Sequence, residues 1–284
     1  MGNIKIISDS TCELSPDLIE KFGISVVPLN IVLDDQSYLD GVDIDTDRIY
    51  EWADANNTTP KTAAPLFQFM VDFLRPFAEN NDEVIFIGIS EDMSATCQVA
   101  RLAAEDLDYK NIHVVNSMNL STGVGLQVLR AAEMAMEGKS ADEIVKVIEE
   151  ARPKVRASFV VDTLTYLHRG GRCSAVTALI GNVLALKPEI TVNNGKMGVA
   201  KKYRGKQAGV VIKYATDLKE HLLAADPHRV FITHSGISDE ILDSVRGFLE
   251  ELDYFENICI TRAGGVISSH CGPGTLGVLF IENF

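Results

Sequence analysis

The sequence is poor in cysteine. Its 284 residues include five, at Cys12, Cys97, Cys173, Cys259 and Cys271. The number is odd, the positions are scattered and no two form a Cys-x-x-Cys pair, which argues against a disulfide framework and a zinc knuckle. We expect reduced thiols packed in the interior.

Long apolar runs are also missing. No stretch approaches the ~20 residues that a membrane span requires. The opening segment Met1–Ile6 lacks the apolar core and the small-residue cleavage site of a signal peptide, and Ile6 stands where a myristoylation motif has Ser or Thr. We therefore expect a cytoplasmic protein without a transmembrane segment.

Positive charge is scarce. Lys and Arg number 26 against 40 Asp and Glu, a formal net charge of −14 at pH 7. Proteins that bind nucleic acids neutralise phosphates with Lys and Arg, and an anionic membrane repels an acidic chain. The composition argues against a nucleic-acid partner and requires a local cluster of donors for any bound anion.

Motifs for nucleotides and metals are absent as well. The segment Gly272–Gly277 has G-x-G-x-x-G spacing, but only seven residues follow it, so it cannot open a dinucleotide-binding βαβ unit. The histidines show no H-x-H or H-E-x-x-H spacing, and the acidic stretch Asp40–Asp47 has no EF-hand pattern. We expect neither a metal nor a cofactor.

Alternating strand-like and helix-like segments are what the sequence does contain. At ~150 residues per domain the length suggests two domains, and we place them at 1–156 and 157–284. In the first, strands are predicted at 4–7, 24–32, 84–89 and 112–115, and helices at 16–22, 46–55, 66–78, from 94 onward, 121–136 and 140–151. In the second, strands are predicted at 158–161, 188–192, 196–203, 230–233, 258–261 and 276–281, and helices at 163–168, 176–186, 207–223 and 240–252.

This alternation predicts an α/β fold. The first domain should have a mostly parallel sheet with flanking helices. The second should have a mixed sheet, because Asn193-Asn194-Gly195 is a good hairpin turn between two of its strands. No linker separates the halves, so we expect a ligand cleft between them.

Four short segments could bind an anion, although each is a weak signal alone. Ser94 lies at a strand-to-helix junction, where it would cap the helix and where free amides follow it. Lys61–Pro65 offers a hydroxyl before a helix. Arg169–Arg172 places two guanidiniums around a diglycine, and Ser269–Gly274 places His270 in a Gly/Pro turn.

Taken in order, several segments resemble the DegV family of bacterial proteins over nearly the whole chain. They are Ser8–Leu14, Asp40–Ile44, Lys61–Pro65, Ile89–Thr96, Leu167–Arg172, Leu186–Pro188, Arg204 and His270–Gly274. The resemblance implies a two-domain α/β protein that binds one long-chain fatty acid, such as palmitate, stearate or oleate, without catalysis of its own. Some family members are the fatty-acid-binding subunit of a fatty acid kinase, in which a separate ATP-using subunit phosphorylates the carboxylate.

The same resemblance assigns site residues. The family's carboxylate-binding positions fall on Thr62 and Ser94, with Ala95 beside them, and its nearby Arg and His positions fall on Arg172 and His270. We hypothesise that a protonated His270 adds positive charge.

Apolar residues near the Arg motif are candidates to line the tunnel that holds the acyl tail. We expect this role for Leu164, Leu167, Ile180, Val183 and Leu184, each of which could instead be ordinary core. Burying the tail contributes about 0.8 kcal/mol per CH₂, or more than 10 kcal/mol in gross terms for ~16 carbons.

The chain departs from the family pattern near the expected headgroup. The family often has Thr-Ser-Gln-Pro where this chain has Thr62–Pro65, and Ser-Ser-x-Leu-Ser-Gly-Thr where it has Ser90–Thr96. These changes remove a hydroxyl and an amide, introduce Glu91 and Asp92, and put Ala95 in place of Gly. Cys271 replaces the Thr after the His. The ligand class should be kept, while headgroup affinity and kinase partnering depend on these positions.

Two other functions remain open. A hydrolase or transferase could use Ser94 as nucleophile and His270 as base, with an orienting third group that the sequence does not identify. A protein-interaction module is a weaker alternative, which predicts an empty cleft.

Overall fold

The computed structural model describes residues 4–179 and 186–283 of the chain. Its first half contains β1 (Lys5–Asp9), α1 (Pro16–Phe22), β2 (Ser25–Val27), β3 (Asn30–Leu33), β4 (Gln36–Leu39), α2 (Thr46–Asn56), β5 (Lys61–Ala63), α3 (Phe67–Glu79), β6 (Val84–Gly88), α4 (Thr96–Asp106), β7 (Ile112–Asn116), α5 (Thr122–Met136) and α6 (Ala141–Ala151).

The second half contains β8 (Val155–Val160), α7 (Thr165–Gly170), β9 (Leu186–Asn193), β10 (Lys196–Arg204), α8 (Gln207–Asp217), α9 (Lys219–Leu223), β11 (Ala225–His234), α10 (Asp239–Glu251), β12 (Ile258–Arg262), α11 (Gly265–Cys271) and β13 (Leu276–Glu282). Short 3₁₀ helices span Ser10–Cys12, Arg152–Lys154 and Ser174–Leu179.

The first sheet has the strand order β2-β1-β6-β7 and is parallel throughout. Strand β6 is buried along its whole length, as expected for a strand covered on both faces. Helices α3 and α4 pack on the face that bears Val84 and Phe86, and α5 and α6 pack on the face that bears Ile85 and Ile87. The predicted parallel sheet with flanking helices is confirmed.

The second sheet has the order β10-β9-β8-β13-β11-β12 and is mixed, as predicted. Only β11 and β12 pair in parallel among its described strands. Asn194 and Gly195 form the β9–β10 turn with positive φ angles of 49° and 80°, as a type I′ hairpin requires. Helix α5 lies between the two large sheets and contacts strands of both.

A third, antiparallel sheet of order β4-β3-β5 was not predicted. The single strand expected at 24–32 is wrong, because β2 and β3 belong to different sheets. Pro28 lies between them and has no N–H to continue a ladder. Strand β3 and helix α2 pack against α11, with Ile31, Ile49 and Val266 in one apolar cluster.

Three helix predictions need correction. The helix expected at 176–186 begins as the 3₁₀ helix Ser174–Leu179, and 180–185 lie outside the described residues. The helix expected at 207–223 is divided into α8 and α9 at Leu218. His270 lies in the last turn of α11 instead of a loop, because Gly272, at φ 74°, ends the helix only after it.

The boundary between 1–156 and 157–284 stays a proposal, with β8 beginning at Val155. No helix in 4–179 or 186–283 is long and apolar enough to cross a membrane.

Candidate functional site

A cavity of about 290 Å³ lies where β5, the β6–α4 loop, α11 and the β9–β10 hairpin meet. Thr62, Ser94, Arg172 and His270 supply its polar side chains, and Ala95 is also part of the lining. The structure therefore brings together all five residues that the sequence proposed for the headgroup. The volume is at the lower end of the ~300–1,000 Å³ range typical of ligand pockets.

The closest polar contact of the site joins Thr62 and His270. Thr62 Oγ1 lies 2.7 Å from His270 Nε2. The other ring nitrogen, Nδ1, is buried and has no hydrogen-bond partner in the described chain. It lies so close to Gly170 that a Cβ there would be 2.2 Å from it. Glycine at position 170 thus allows the ring to reach Thr62.

These contacts determine where the imidazole proton resides. A neutral imidazole carries one N–H, and a buried N–H without an acceptor costs about 1–3 kcal/mol. The proton is therefore favoured on Nε2, which donates it to Thr62 Oγ1. The hydroxyl hydrogen of Thr62 remains free to donate to a molecule in the cavity.

His270 is neutral near pH 7. Burial lowers the pKa of His270 from 6.5 to about 4, and the nearby Arg172 charge contributes to the same shift. The expectation that a protonated His270 adds charge is therefore wrong. Arg172 carries the positive charge of the cavity lining.

Arg172 is exposed at the mouth of the cavity. Its Nη1 donates a 3.0 Å hydrogen bond to the carbonyl of Gly170. The diglycine of the Arg169–Arg172 motif thus has two roles. Gly170 makes room for His270 and anchors Arg172, while Gly171, at φ 68°, ends α7.

Ser94 does not cap α4 as expected. The residue preceding the helix is Ala95, and no side chain caps the helix there. The Ser94 hydroxyl lies 2.8 Å from the Oγ1 of Thr96, which is fully buried. The first N–H groups of α4 have no acceptor within the helix, and Ala95, which precedes the helix, lines the cavity together with Ser94.

The two acidic departures from the family pattern are paired with cations. Glu91 lies 2.7 Å from Arg101, and Asp92 lies 3.4 Å from Lys196. Their charges are therefore partly neutralised beside the cavity.

Buried acids hold the other end of α11, and the sequence did not assign them a role. Asp40 Oδ1 accepts from the Gly265 N–H at 2.8 Å, and Glu13 accepts from the Gly264 N–H. Ser10 donates to Asp40 at 2.8 Å. Burial raises the pKa of both carboxyls. These contacts hold the N-terminal end of α11, the helix on which His270 lies.

The expected tail residues are distributed differently. Leu164 and Leu167 pack in the apolar core and are not among the described residues that line the cavity. Ile180, Val183 and Leu184 lie outside the described residues. The apolar walls come from residues that the sequence reasoning missed: Leu29, Ile89, Met93, Leu120, Met197, Val266 and Ile267. Among these residues, only Ile89 and Met93 could have been suspected from the sequence, because they flank the Ser94 loop.

Within 4–179 and 186–283, no group of three or more His, Cys, Asp or Glu side chains is placed to hold a metal ion.

Known proteins are similar to this chain in both sequence and fold. A family model described as "Uncharacterised protein, DegV family" matches residues 3–283. A DegV domain-containing protein of Caldanaerobacter subterraneus subsp. tengcongensis is 35% identical over 99% of this chain and 100% of its own length.

Two solved structures are similar throughout. A DegV family protein from Thermus thermophilus, described by its fatty acid binding, has a TM-score of 0.91 at 30% identity and covers 100% of both chains. A stearic-acid-binding protein from Eubacterium ventriosum has a TM-score of 0.86 at 28% identity and covers 98% of both. These similarities confirm the predicted fold class, and the chain belongs to the DegV family.

Proposed function

We propose that this protein binds a single long-chain fatty acid in the cavity between the β6–α4 loop and α11. The observation that carries the proposal is the polar group of Thr62, Ser94, Arg172 and His270 at a cavity whose other walls are apolar. This distribution matches a ligand with one anionic end and a long apolar tail. The fatty acids described for the Thermus and Eubacterium relatives support the same ligand class.

The carboxylate would be held mainly by neutral donors. The hydroxyls of Thr62 and Ser94 and the free N–H groups at the start of α4 each offer a hydrogen bond. Arg172 adds a charge at the mouth. These donors are needed because a buried carboxylate without partners costs several kcal/mol.

The tail would lie along Leu29, Ile89, Leu120, Val266 and Ile267. Each buried CH₂ contributes about 0.8 kcal/mol, from which ordering and association costs are subtracted. Met93 and Met197 add flexible walls that adapt to different tails. Stearate, palmitate and oleate are the ligands we propose first.

The protein would act as a carrier that presents the carboxylate to another protein. Arg172 and Ala95 line the cavity and are exposed, so the headgroup would lie near the surface. A separate ATP-using kinase subunit could then transfer the γ-phosphoryl group to a carboxylate oxygen, giving an acyl phosphate and ADP. Incubating the chain, palmitate and ATP without that subunit should give no acyl phosphate.

A hydrolase or transferase is the alternative. It would need Ser94 activated by His270 and a third group to orient the imidazole. His270 Nε2 is instead bonded to Thr62, and within 4–179 and 186–283 Nδ1 has no acceptor. Turnover of acyl or phosphoryl substrates by the purified chain alone would favour this alternative.

We also propose a cytoplasmic location. All five cysteines are free, and four of them are buried, as suits a reducing compartment.

Binding can be tested by displacement of a fluorescent fatty acid from the delipidated protein. We expect palmitate to compete for one site per chain. The combined Thr62→Ala and Ser94→Ala substitutions should abolish binding while the circular dichroism spectrum is retained. Ser244→Ala, which removes an exposed hydroxyl from α10, is the control. Unchanged binding by the double variant would contradict the assignment of the headgroup site.

A further inference from the structure

A second, much smaller cavity lies against one wall of the main cavity. Its volume is about 20 Å³, and it shares the side chains of Leu120, Ile267 and Cys271 with the main cavity. These side chains form the partition between the two spaces. An acyl chain that passes this partition would enter the small cavity.

The small cavity contains the buried, unused hydroxyl of Ser121. The residue is 4% exposed, and its Oγ has no hydrogen-bond partner among the residues described. Ser121 immediately precedes α5, where a serine normally caps the helix, but its side chain makes no capping bond. Its backbone, at φ 52° and ψ −146°, lies in a region that residues other than glycine rarely adopt.

Other hydroxyls around the same space are engaged. Thr233 Oγ1 lies 2.7 Å from Thr122 Oγ1. Ser235 and Thr275 each donate to a backbone carbonyl. Ser121 therefore differs from these neighbours, because it can both donate to and accept from a further group.

The size of the cavity limits that group to about one oxygen atom. A space of this kind holds a single water or a single hydroxyl, since about 10–15 Å³ suffices for one water-sized probe. An unmodified alkyl chain in the same place would leave the Ser121 hydroxyl unpaired, at a cost that a hydroxyl-bearing chain avoids.

We propose that the small cavity is a subsite for a hydroxyl group carried on the acyl chain, with Ser121 as its hydrogen-bond partner. This inference rests on the proposed fatty-acid binding and narrows it to a ligand class. The protein should favour a fatty acid whose hydroxyl group reaches the small cavity over the parent acid of the same length.

The test compares ω-hydroxylated laurate, myristate, palmitate and stearate with their parent acids by competition on delipidated protein. The quantity compared is the ratio of the affinity for the hydroxylated acid to the affinity for its parent acid. For the chain length that reaches the subsite, this ratio should be about three- to tenfold higher for the wild type than for Ser121→Ala. Thr233→Val, which removes an engaged hydroxyl from the same cavity, should keep the wild-type ratio.

Ser121→Gly serves if Ser121→Ala does not fold, because glycine removes the hydroxyl and tolerates the backbone conformation. If the wild type binds the parent acids but its ratios equal those of the Ser121 variants at every length, the cavity holds only water and the subsite is overturned. If the wild type binds no parent acid either, the proposed function itself fails, so the two failures are distinguishable.

Discussion

Thr62 and His270 are 208 residues apart in the sequence, and their side chains meet at 2.7 Å. Because His270 is neutral and its other nitrogen is buried without an acceptor in the described chain, the imidazole donates to Thr62. The hydroxyl of Thr62 is thereby oriented to donate into the cavity. A histidine that would be expected to supply charge instead fixes the direction of a neutral donor.

Removing the hydroxyl of Thr62 should therefore weaken binding more than a change in side-chain size does. We expect Thr62→Val, which keeps the shape, to lower palmitate affinity about 10- to 150-fold, since a hydrogen bond to a charged group contributes about 1.5–3 kcal/mol. Thr62→Ser should retain most of the affinity. Equilibrium displacement measures both variants, and equal affinities for Val and Ser would contradict the donor role.

The space that Gly170 leaves for the His270 ring should be as important for palmitate binding as the Thr62 hydroxyl. In Gly170→Ala the new Cβ would be 2.2 Å from His270 Nδ1. The ring would have to shift away from Thr62, so we expect a loss of about 1–3 kcal/mol in unfolding free energy together with weaker palmitate binding. Gly209→Ala in α8 is the matched control, because a Cβ at that position would have no atom within 4 Å. If Gly170→Ala bound palmitate as well as the control, the close approach would have no functional role.

The stability of the fold should depend on pH through His270. Its pKa is about 4 in the folded protein and 6.5 in the unfolded chain, so the unfolded state binds the proton first as the pH falls. The neutral histidine's contribution is complete above about pH 6.5 and is lost as the pH falls towards 4. For the wild type this loss is at most about 3 kcal/mol.

Chemical denaturation between pH 7 and 4 can isolate the contribution of His270 to the free energy of unfolding, by comparison of the wild type with His270→Gln. The stability difference between wild type and variant should shift in favour of the variant on acidification. A difference that stays constant with pH, or one that moves the other way, would show that His270 is not held neutral in the fold.

The tip of the β9–β10 hairpin should be sensitive to any side chain. Gly195 has a φ of 80°, and a Cβ there would be 2.7 Å from Ser90 Oγ and 2.9 Å from Asp92 Oδ2. Ser90 donates a 2.8 Å hydrogen bond to the Gly195 carbonyl, which joins the hairpin to the loop that carries Ser94. Gly195→Ala should therefore destabilise the protein by about 1–3 kcal/mol and speed palmitate release.

Gly198→Ala is the control for this prediction, since it lies in the same hairpin with no atom within 4 Å of the added carbon. Urea denaturation and stopped-flow release of a fluorescent fatty acid give the two readouts. Identical release rates for the two alanine variants would exclude a contribution of the hairpin tip to ligand retention.

The residues proposed for the headgroup could be named from the sequence because short segments drew attention to them and the resemblance to the DegV family assigned their roles. A serine at a strand-to-helix junction and an arginine beside a diglycine are visible in short segments, and all of them line one cavity. The placement of His270 in a helix was harder to predict. The Gly and Pro that follow it suggest a turn, whereas the seven-residue α11 continues through it and is fixed by Asp40 at its other end.

The apolar walls of the cavity could not be predicted from local sequence patterns. Leu29, Met197 and Val266 line the same cavity although they come from three distant segments. Their apolar character alone does not separate a cavity wall from a packed core. Leu167 shows the same ambiguity, since it is apolar, close to the Arg motif and fully packed.

The central claim, that this chain carries one fatty acid, is tested most directly by native mass spectrometry of the purified protein, followed by organic extraction and lipid analysis. We predict a bound mass that corresponds to one long-chain fatty acid per chain, absent from the combined Thr62→Ala and Ser94→Ala variant. A bare wild-type protein that also takes up neither added palmitate nor oleate would contradict it.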